Sequence, residues 1–200
     1  MRVIPFNTSV GGKQQAAFVI FFARDGKPWA NYASNNVARQ SLIIPTCLMI
    51  NRADGDVGFI GGEVETGESL EAAAKREVQE EIGHTIGLNL EPIVAHDIGP
   101  ITTHAFAAET TYEQLREMQK EATLGLHFGS EVTGVFLPHL IDYNRALGKG
   151  DGLSNFIRSS LAPSVREELV HLLLKKKIIN KDNLINLCQQ AGYNLNNLLE

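Results

Sequence analysis

Three glutamates, Glu77, Glu80 and Glu81, crowd into the run Arg76-Glu77-Val78-Gln79-Glu80-Glu81-Ile82-Gly83. On a helix, at about 100° per residue, they share an arc of about 100°, so their carboxylates converge on one small volume. Like charges packed this way repel by about a few tenths of a kcal/mol per pair on an open helix and by more in a cleft, so the arrangement calls for a cation. Hard oxygen ligands suit Mg²⁺ or Mn²⁺, ions that keep several waters and bridge to substrate phosphates. A solvated acidic face is the commoner reason for glutamates on a helix. Here the surroundings argue otherwise. Ala73, Ala74, Val78 and Ile82 make an apolar face beside the carboxylates, and the glycine-containing loop Gly61 to Gly67 brings backbone carbonyls to the helix start. Glu68 and Arg76 form a candidate ion pair that would tie loop to helix.

The elements that must hold these groups are readable in outline. A helix is expected from about Leu70 to Ile82, with Ser69 as N-cap and Gly83 closing it. Ahead of it, Gln15 to Ala23 reads as a strand that turns at Asp25-Gly26 and returns over Trp29 to Ala33. Leu42 to Ile50 is a second extended stretch, with Pro45 marking an edge or bulge, and Val57 to Ile60 a short strand. Beyond the helix, Ile93 to Ile98 and Ile101 to Ala107 flank a Gly99-Pro100 turn. A helix over Tyr112 to Ala122, a strand over Val132 to Leu137, and helices around Ser154 to Leu161, Ser164 to Lys176 and Asn183 to Leu199 complete the pattern. Leu184, Leu187, Ala191, Leu195 and Leu198 line one side of the last helix, for packing on the body of the domain or for a homodimer contact.

Two hundred residues without a repeat or long linker are expected to form one domain, with a core over about residues 15–178 and a helical extension over 179–200. The 44% apolar and 20% charged composition is that of an ordinary soluble chain. No apolar run approaches the ~20 residues of a membrane helix or resembles a signal-peptide core, so no membrane association and a cytoplasmic location are expected, or a nuclear one in a eukaryote. A net charge of -5 argues against affinity gained by wrapping nucleic-acid backbone, though a small basic groove stays open. Lys175 to Lys177 sit where a helix should end and complement its dipole. Cys47 and Cys188 fall in no metal-binding spacing.

From Gly62 to Gly83 the chain resembles the Nudix box, G-x5-E-x7-R-E-U-x-E-E-x-G-U with U aliphatic. Every fixed letter is matched, a coincidence of roughly one in a billion per start position at background frequencies. His84 replaces the last aliphatic residue and is explained as a helix-terminal histidine. The resemblance implies an α/β/α sandwich with a mixed sheet, added C-terminal helices, and a Mg²⁺- or Mn²⁺-dependent hydrolase. Glu77, Glu80 and Glu81 would ligate metal with the carbonyl of Gly62, Glu68 and Arg76 would shape the loop, and a box glutamate or a loop carboxylate would take a proton from water.

Outside the box, roughly Gln15 to Ile178 is similar to the U8 small nucleolar RNA decapping and inosine diphosphatase branch. The similarity lies in Asp54-Gly55-Asp56-Val57-Gly58-Phe59, the helix after Thr111, His127 through Gly134, and Phe156 through Leu169. It implies that Glu131 supplements the metal ligands or acts as base, that Arg52 contacts phosphate, and that Phe59 lines a base pocket. The branch's purine-contacting histidine and glutamine fall at Phe18 and Glu168, an exchange that would favour a base edge rich in donors, such as guanine. The implied substrate is an RNA cap or a purine nucleoside diphosphate. A pyrophosphatase for small dinucleotides such as ADP-ribose or NAD, and a non-catalytic nucleotide-binding module, are the alternatives.

Overall fold

The computed structural model describes residues 1–28, 40–84, 89–143 and 152–195. Its organising element is strand β2, Gln14–Ala23, whose side chains alternate between two apolar surroundings as a central strand requires. Ala17, Val19, Phe21 and Ala23 belong to one core, shared with helices α1 (Leu70–Ile82) and α2 (Tyr112–Glu121). Ile20 and Phe22 belong to the opposite core, shared with α3 (Gly152–Arg158), α4 (Val165–Lys175) and α5 (Lys181–Gln190). A sheet with helices on both faces is the expected α/β/α sandwich.

The sheet is mixed. Strand β2 runs parallel to β8 (Ile101–Glu109) from Gln14↔Ile101 to Phe22↔Glu109, and antiparallel to β6 (Ile60–Glu63) and to β3 (Thr46–Cys47). Strand β7 (Glu91–Asp97) pairs antiparallel with β8 across the Gly99-Pro100 turn, and β1 (Arg2–Ile4) closes that edge. A second, three-stranded sheet has the order β5-β4-β9, with β4 at Met49–Arg52, β5 at Val57–Gly58 and β9 at Val132–Phe136.

Several expectations need correction. The strand expected over Val57 to Ile60 breaks at Phe59, with β5 pairing in the small sheet and β6 in the large one, because Phe59 is drawn fully into the core between them. The stretch Leu42 to Ile50 becomes strand only from Thr46 onward; Ile44 instead donates its N–H to the carbonyl of Gly26 at 2.8 Å. Trp29 to Ala33 lies outside the described residues, and β2 finds its partners in β3, β6 and β8. Strand β1 was not anticipated, being only three residues long. The last helix begins earlier than expected, capped by the Asn180 side chain, and stops at Gln190 before Gly192 with φ 79°; Leu195 is buried without being helical.

The lysines at the end of α4 are anchors as much as dipole partners: Lys175 donates to the carbonyl of Pro92 and Lys176 to Glu91, pinning the helix to β7. Both cysteines are buried thiols.

Candidate active site

Helix α1 forms where the sequence places it. The Ser69 hydroxyl accepts the N–H of Ala72 at 3.2 Å, and Gly83, at φ 68°, ends the helix with its N–H on the carbonyl of Gln79. Burying Ala73, Ala74, Val78 and Ile82 fixes the helix's rotation, and that rotation carries Glu77 and Glu81 inward to 7% and 4% exposure. Against them lies β6, whose Gly61 and Gly62 pair with Phe18 and Ala17. Glycine is required at Gly61, where φ is 144° and a Cβ would fall 2.2 Å from the carbonyl oxygen of Ala17. The close approach lets the Gly61 N–H donate to Oε2 of Glu81 at 2.9 Å.

Arg76 binds Glu68 as expected, its Nε and Nη2 donating to the two carboxylate oxygens at 3.2 Å each, while Nη2 also reaches the carbonyl of Glu63 at 2.8 Å. Glu68 in turn accepts the N–H of Glu65, so loop and helix are joined. A further pair of contacts was not expected from the sequence: Nη1 of Arg76 donates to Oε1 of Glu77 at 2.8 Å and Oε2 of Glu80 at 2.9 Å. The guanidinium therefore partly offsets the negative charge that the three helix glutamates accumulate.

The offset is incomplete. Burial pushes the Glu81 carboxyl up to about 8, opposed by the Gly61 N–H and reinforced by the charges of Glu77 and Glu131. Burial also raises Glu77, against the pull of Arg76, while Arg76 holds Glu68 below the usual carboxylate range. Glu77 and Glu81 border an open cleft of about 880 Å³ that Arg52, Asp54, Gly62, His127 and Glu131 also line. Glu131 stands just before β9 with its side chain 64% exposed, and its carbonyl accepts the N–H of Ala53. His84 is elsewhere, beside Glu121 at the end of α1.

His127 was not singled out from sequence. Its backbone N–H donates to the carbonyl of Glu80 at 2.8 Å, and a ring nitrogen lies within 4.8 Å of carboxylate oxygens of both Glu77 and Glu80. Its Nδ1 is buried, accepts or donates no hydrogen bond, and is 3.5 Å from Oε2 of Glu131. Its spacing of four from Glu131 was the available signal. Clustered carboxylates, strained toward neutrality by burial, together with an orphaned ring nitrogen, are a donor set that fits a divalent cation.

A second, more enclosed pocket of about 180 Å³ adjoins the cleft, and Arg52 and Asp54 line both. Phe18 from β2, Phe59 from the β5–β6 break and Glu168 from α4 meet there, although they are far apart in sequence. Glu168 is 1% exposed; its Oε1 accepts the Ser164 hydroxyl at 2.8 Å. Burial pushes it up to about 7, against hydrogen bonds from Ser164 and Thr103. Those two neighbours and Asp54 were not anticipated. Asp54 receives Nε and Nη2 of Arg52 at 2.8–3.2 Å, and so aims the guanidinium along the shared wall.

An α/β/α sandwich that presents a loop, a glutamate-rich helix and a second loop beside a cleft defines the Nudix hydrolase class. The same architecture occurs in a mutT/nudix family protein from Listeria innocua, with a TM-score of 0.54 and 20% identity over 86% of this chain and 96% of that one, a likeness of fold. Residues 15–179 match the Nudt16-like family, described as U8 snoRNA-decapping enzyme-like, and the chain belongs to that family. It is 30% identical to a U8 snoRNA-decapping enzyme from Homalodisca vitripennis over 156 residues, 75% of this chain and 76% of that protein. A U8 snoRNA-decapping enzyme from Xenopus laevis is 28% identical over 145 residues, 68% of this chain and 67% of that protein.

Proposed function

We propose that this Nudix hydrolase cuts the phosphoanhydride bond of a purine nucleoside diphosphate, with the base in the small pocket and the phosphates in the acidic cleft. The observation that carries this reading is the shared wall: Arg52 borders both cavities, so one ligand can place a ring beside Phe18 and Phe59 and phosphates beside Glu77, Glu81 and Glu131.

Glu77, Glu80, Glu81 and Glu131, with the carbonyl of Gly62, would hold Mg²⁺ or Mn²⁺. Bound there, such an ion lowers the pKa of water and shields phosphate charge. The protein's own contributions are distinct. Phe18 offers an aromatic face to the base, and the buried Phe59 ring backs the pocket wall. Glu168 offers acceptors to donors on the base edge. Arg52, already aimed by Asp54, contacts phosphate oxygens. Glu131, the most exposed of these carboxylates, takes the proton from the attacking water, and Glu68 with Arg76 keeps the loop in register.

A free nucleotide is favoured over a capped RNA. Among the described residues lining the cleft, the cations Arg52 and Arg76 are outnumbered by Asp54, Glu63, Glu65, Glu77, Glu81 and Glu131, and a polynucleotide needs a basic path. The test is a substrate panel with Mg²⁺ or Mn²⁺, comprising GDP, IDP, ADP, ADP-ribose, NAD and capped RNA, with products identified by mass. Release of nucleoside monophosphate from GDP or IDP at the highest kcat/KM is expected. A clear preference for capped RNA, ADP-ribose or NAD would overturn the choice of substrate, and no turnover of any would overturn the enzyme reading of this site.

A further inference from the structure

His127 stands out because the resemblance to other box-bearing chains gave it no role, yet it faces the carboxylate cluster. Three donors are gathered there: one oxygen each from Glu77 and Glu80 and one ring nitrogen from His127, all within 4.8 Å of one another. Two ligands of a single ion, each about 2.1 Å from it, lie at most about 4.2 Å apart, so side-chain adjustments of under about 1 Å would bring the three onto one centre.

The loop that carries His127 is not free to drift away. The His127 N–H is fixed on the carbonyl of Glu80 at 2.8 Å, and Gly125 packs so closely on α1 that a Cβ there would fall 2.4 Å from the carbonyl oxygen of Glu81. The imidazole therefore belongs to the same rigid unit as the helix glutamates. Its Nδ1 is a buried polar atom without a hydrogen bond, although Oε2 of Glu131 is 3.5 Å away. Buried polar atoms are nearly always paired, and one left unpaired beside carboxylates of the same site asks for a partner.

We propose that a ring nitrogen of His127 is a metal ligand of this site, beside Glu77 and Glu80, and that it biases the site toward transition-metal ions such as Mn²⁺ over Mg²⁺. Imidazole is a borderline donor that raises affinity along the transition series, whereas Mg²⁺ keeps water in preference to nitrogen. The inference rests on the reading of the cleft as a metal centre, and goes beyond it in ligand and in ion preference.

The decisive readout is spectroscopic. The full chain, labelled with ¹⁵N-histidine and loaded with Mn²⁺, is measured by electron spin echo modulation, alongside His127→Gln and Glu80→Gln. The wild-type protein is expected to show ¹⁵N coupling to Mn²⁺ that disappears in His127→Gln. Calorimetric titration should show Mn²⁺ affinity of His127→Gln reduced by at least about tenfold and Mg²⁺ affinity reduced by less than about threefold. Circular dichroism melting reports whether the variant keeps its fold; should it not, the wild-type coupling alone decides. Mn²⁺ that binds in a Glu80-dependent manner without ¹⁵N coupling would overturn His127 as ligand while leaving the metal centre standing. An equal loss of Mg²⁺ and Mn²⁺ affinity in a folded variant would overturn the proposed ion preference. Failure of Mn²⁺ to bind the wild type would overturn both readings.

Discussion

Gly62 and Glu77 face each other so closely that a Cβ on Gly62 would lie 2.6 Å from Oε1 of Glu77. The missing side chain is what allows a strand end and a helix carboxylate to border the same cleft. Gly62→Ala must displace that carboxylate, with Arg76 attached to it. Mn²⁺ affinity is expected to fall by about tenfold, with a stability loss of about 1–2 kcal/mol, read by calorimetric titration and thermal melting. Unchanged affinity would show that Glu77 need not sit where it does.

Arg76 serves five acceptor oxygens, four on three glutamate side chains and one backbone carbonyl. Arg76→Ala leaves those carboxylates to repel one another and is expected to cost about 2–3 kcal/mol, a drop in Tm of several degrees. Arg76→Lys should recover less than half of it, because an ammonium group cannot reproduce the planar fork. Full recovery by lysine would mean that charge alone matters.

Glu168 tests the base pocket. Burial pushes its carboxyl up to about 7, so the charged, accept-only form gains population as pH rises through that value. The kcat/KM ratio of GDP over IDP, which differ by one amino group, should therefore rise between pH 6 and pH 8. In Glu168→Gln the pH trend should vanish and the ratio should fall by about tenfold. A ratio that ignores both pH and the substitution would remove Glu168 from base recognition.

A different pair contributes to acid sensitivity. His96 on β7 is fully buried with neither ring nitrogen bonded, and His171 on α4 stacks obliquely at 5.7 Å. Burial, with repulsion from His171 and the N-terminus, holds His96 at about 4; burial also lowers His171, against the pull of Glu167 and with the push of Lys175. Between about pH 6.5 and 4 the His96 ring takes up a proton in the unfolded chain that burial withholds in the folded one, so the stability it contributes is present above its ordinary value and lost as pH falls through this window; His104, also held at about 4 by burial, acts in the same direction, while Glu81 and Glu168, raised by burial, act in the opposite one. Denaturant titrations of wild type and His96→Phe should differ in their loss of stability across this window by on the order of 3 kcal/mol, the variant losing less. Parallel profiles for the two proteins would contradict this origin of acid sensitivity.

Legibility differed between site and fold for physical reasons. Helix α1, its caps and its ion pair were readable because they depend on residues within one helix turn or one loop of each other. The pocket formed by Phe18, Phe59 and Glu168 was reachable only through resemblance, since three distant elements build it. His127 was missed because its place depends on a loop hydrogen-bonded to Glu80, a tertiary contact that its spacing of four from Glu131 does not by itself reveal. The break at Phe59 was missed for the same reason: an apolar run says that a residue is buried, not which of two sheets its neighbours join.

In the proposed function, the glutamates of α1 make this chain a metal-dependent hydrolase of nucleoside diphosphates. The most direct measurement is phosphate release from GDP or IDP by wild type and Glu80→Gln, each with added Mn²⁺ or Mg²⁺ and with excess chelator. Turnover by the wild type only with metal, and a fall of at least about a hundredfold in a Glu80→Gln variant with unchanged Tm, are expected. Chelator-resistant turnover, or a folded Glu80→Gln variant as active as wild type, would contradict the claim.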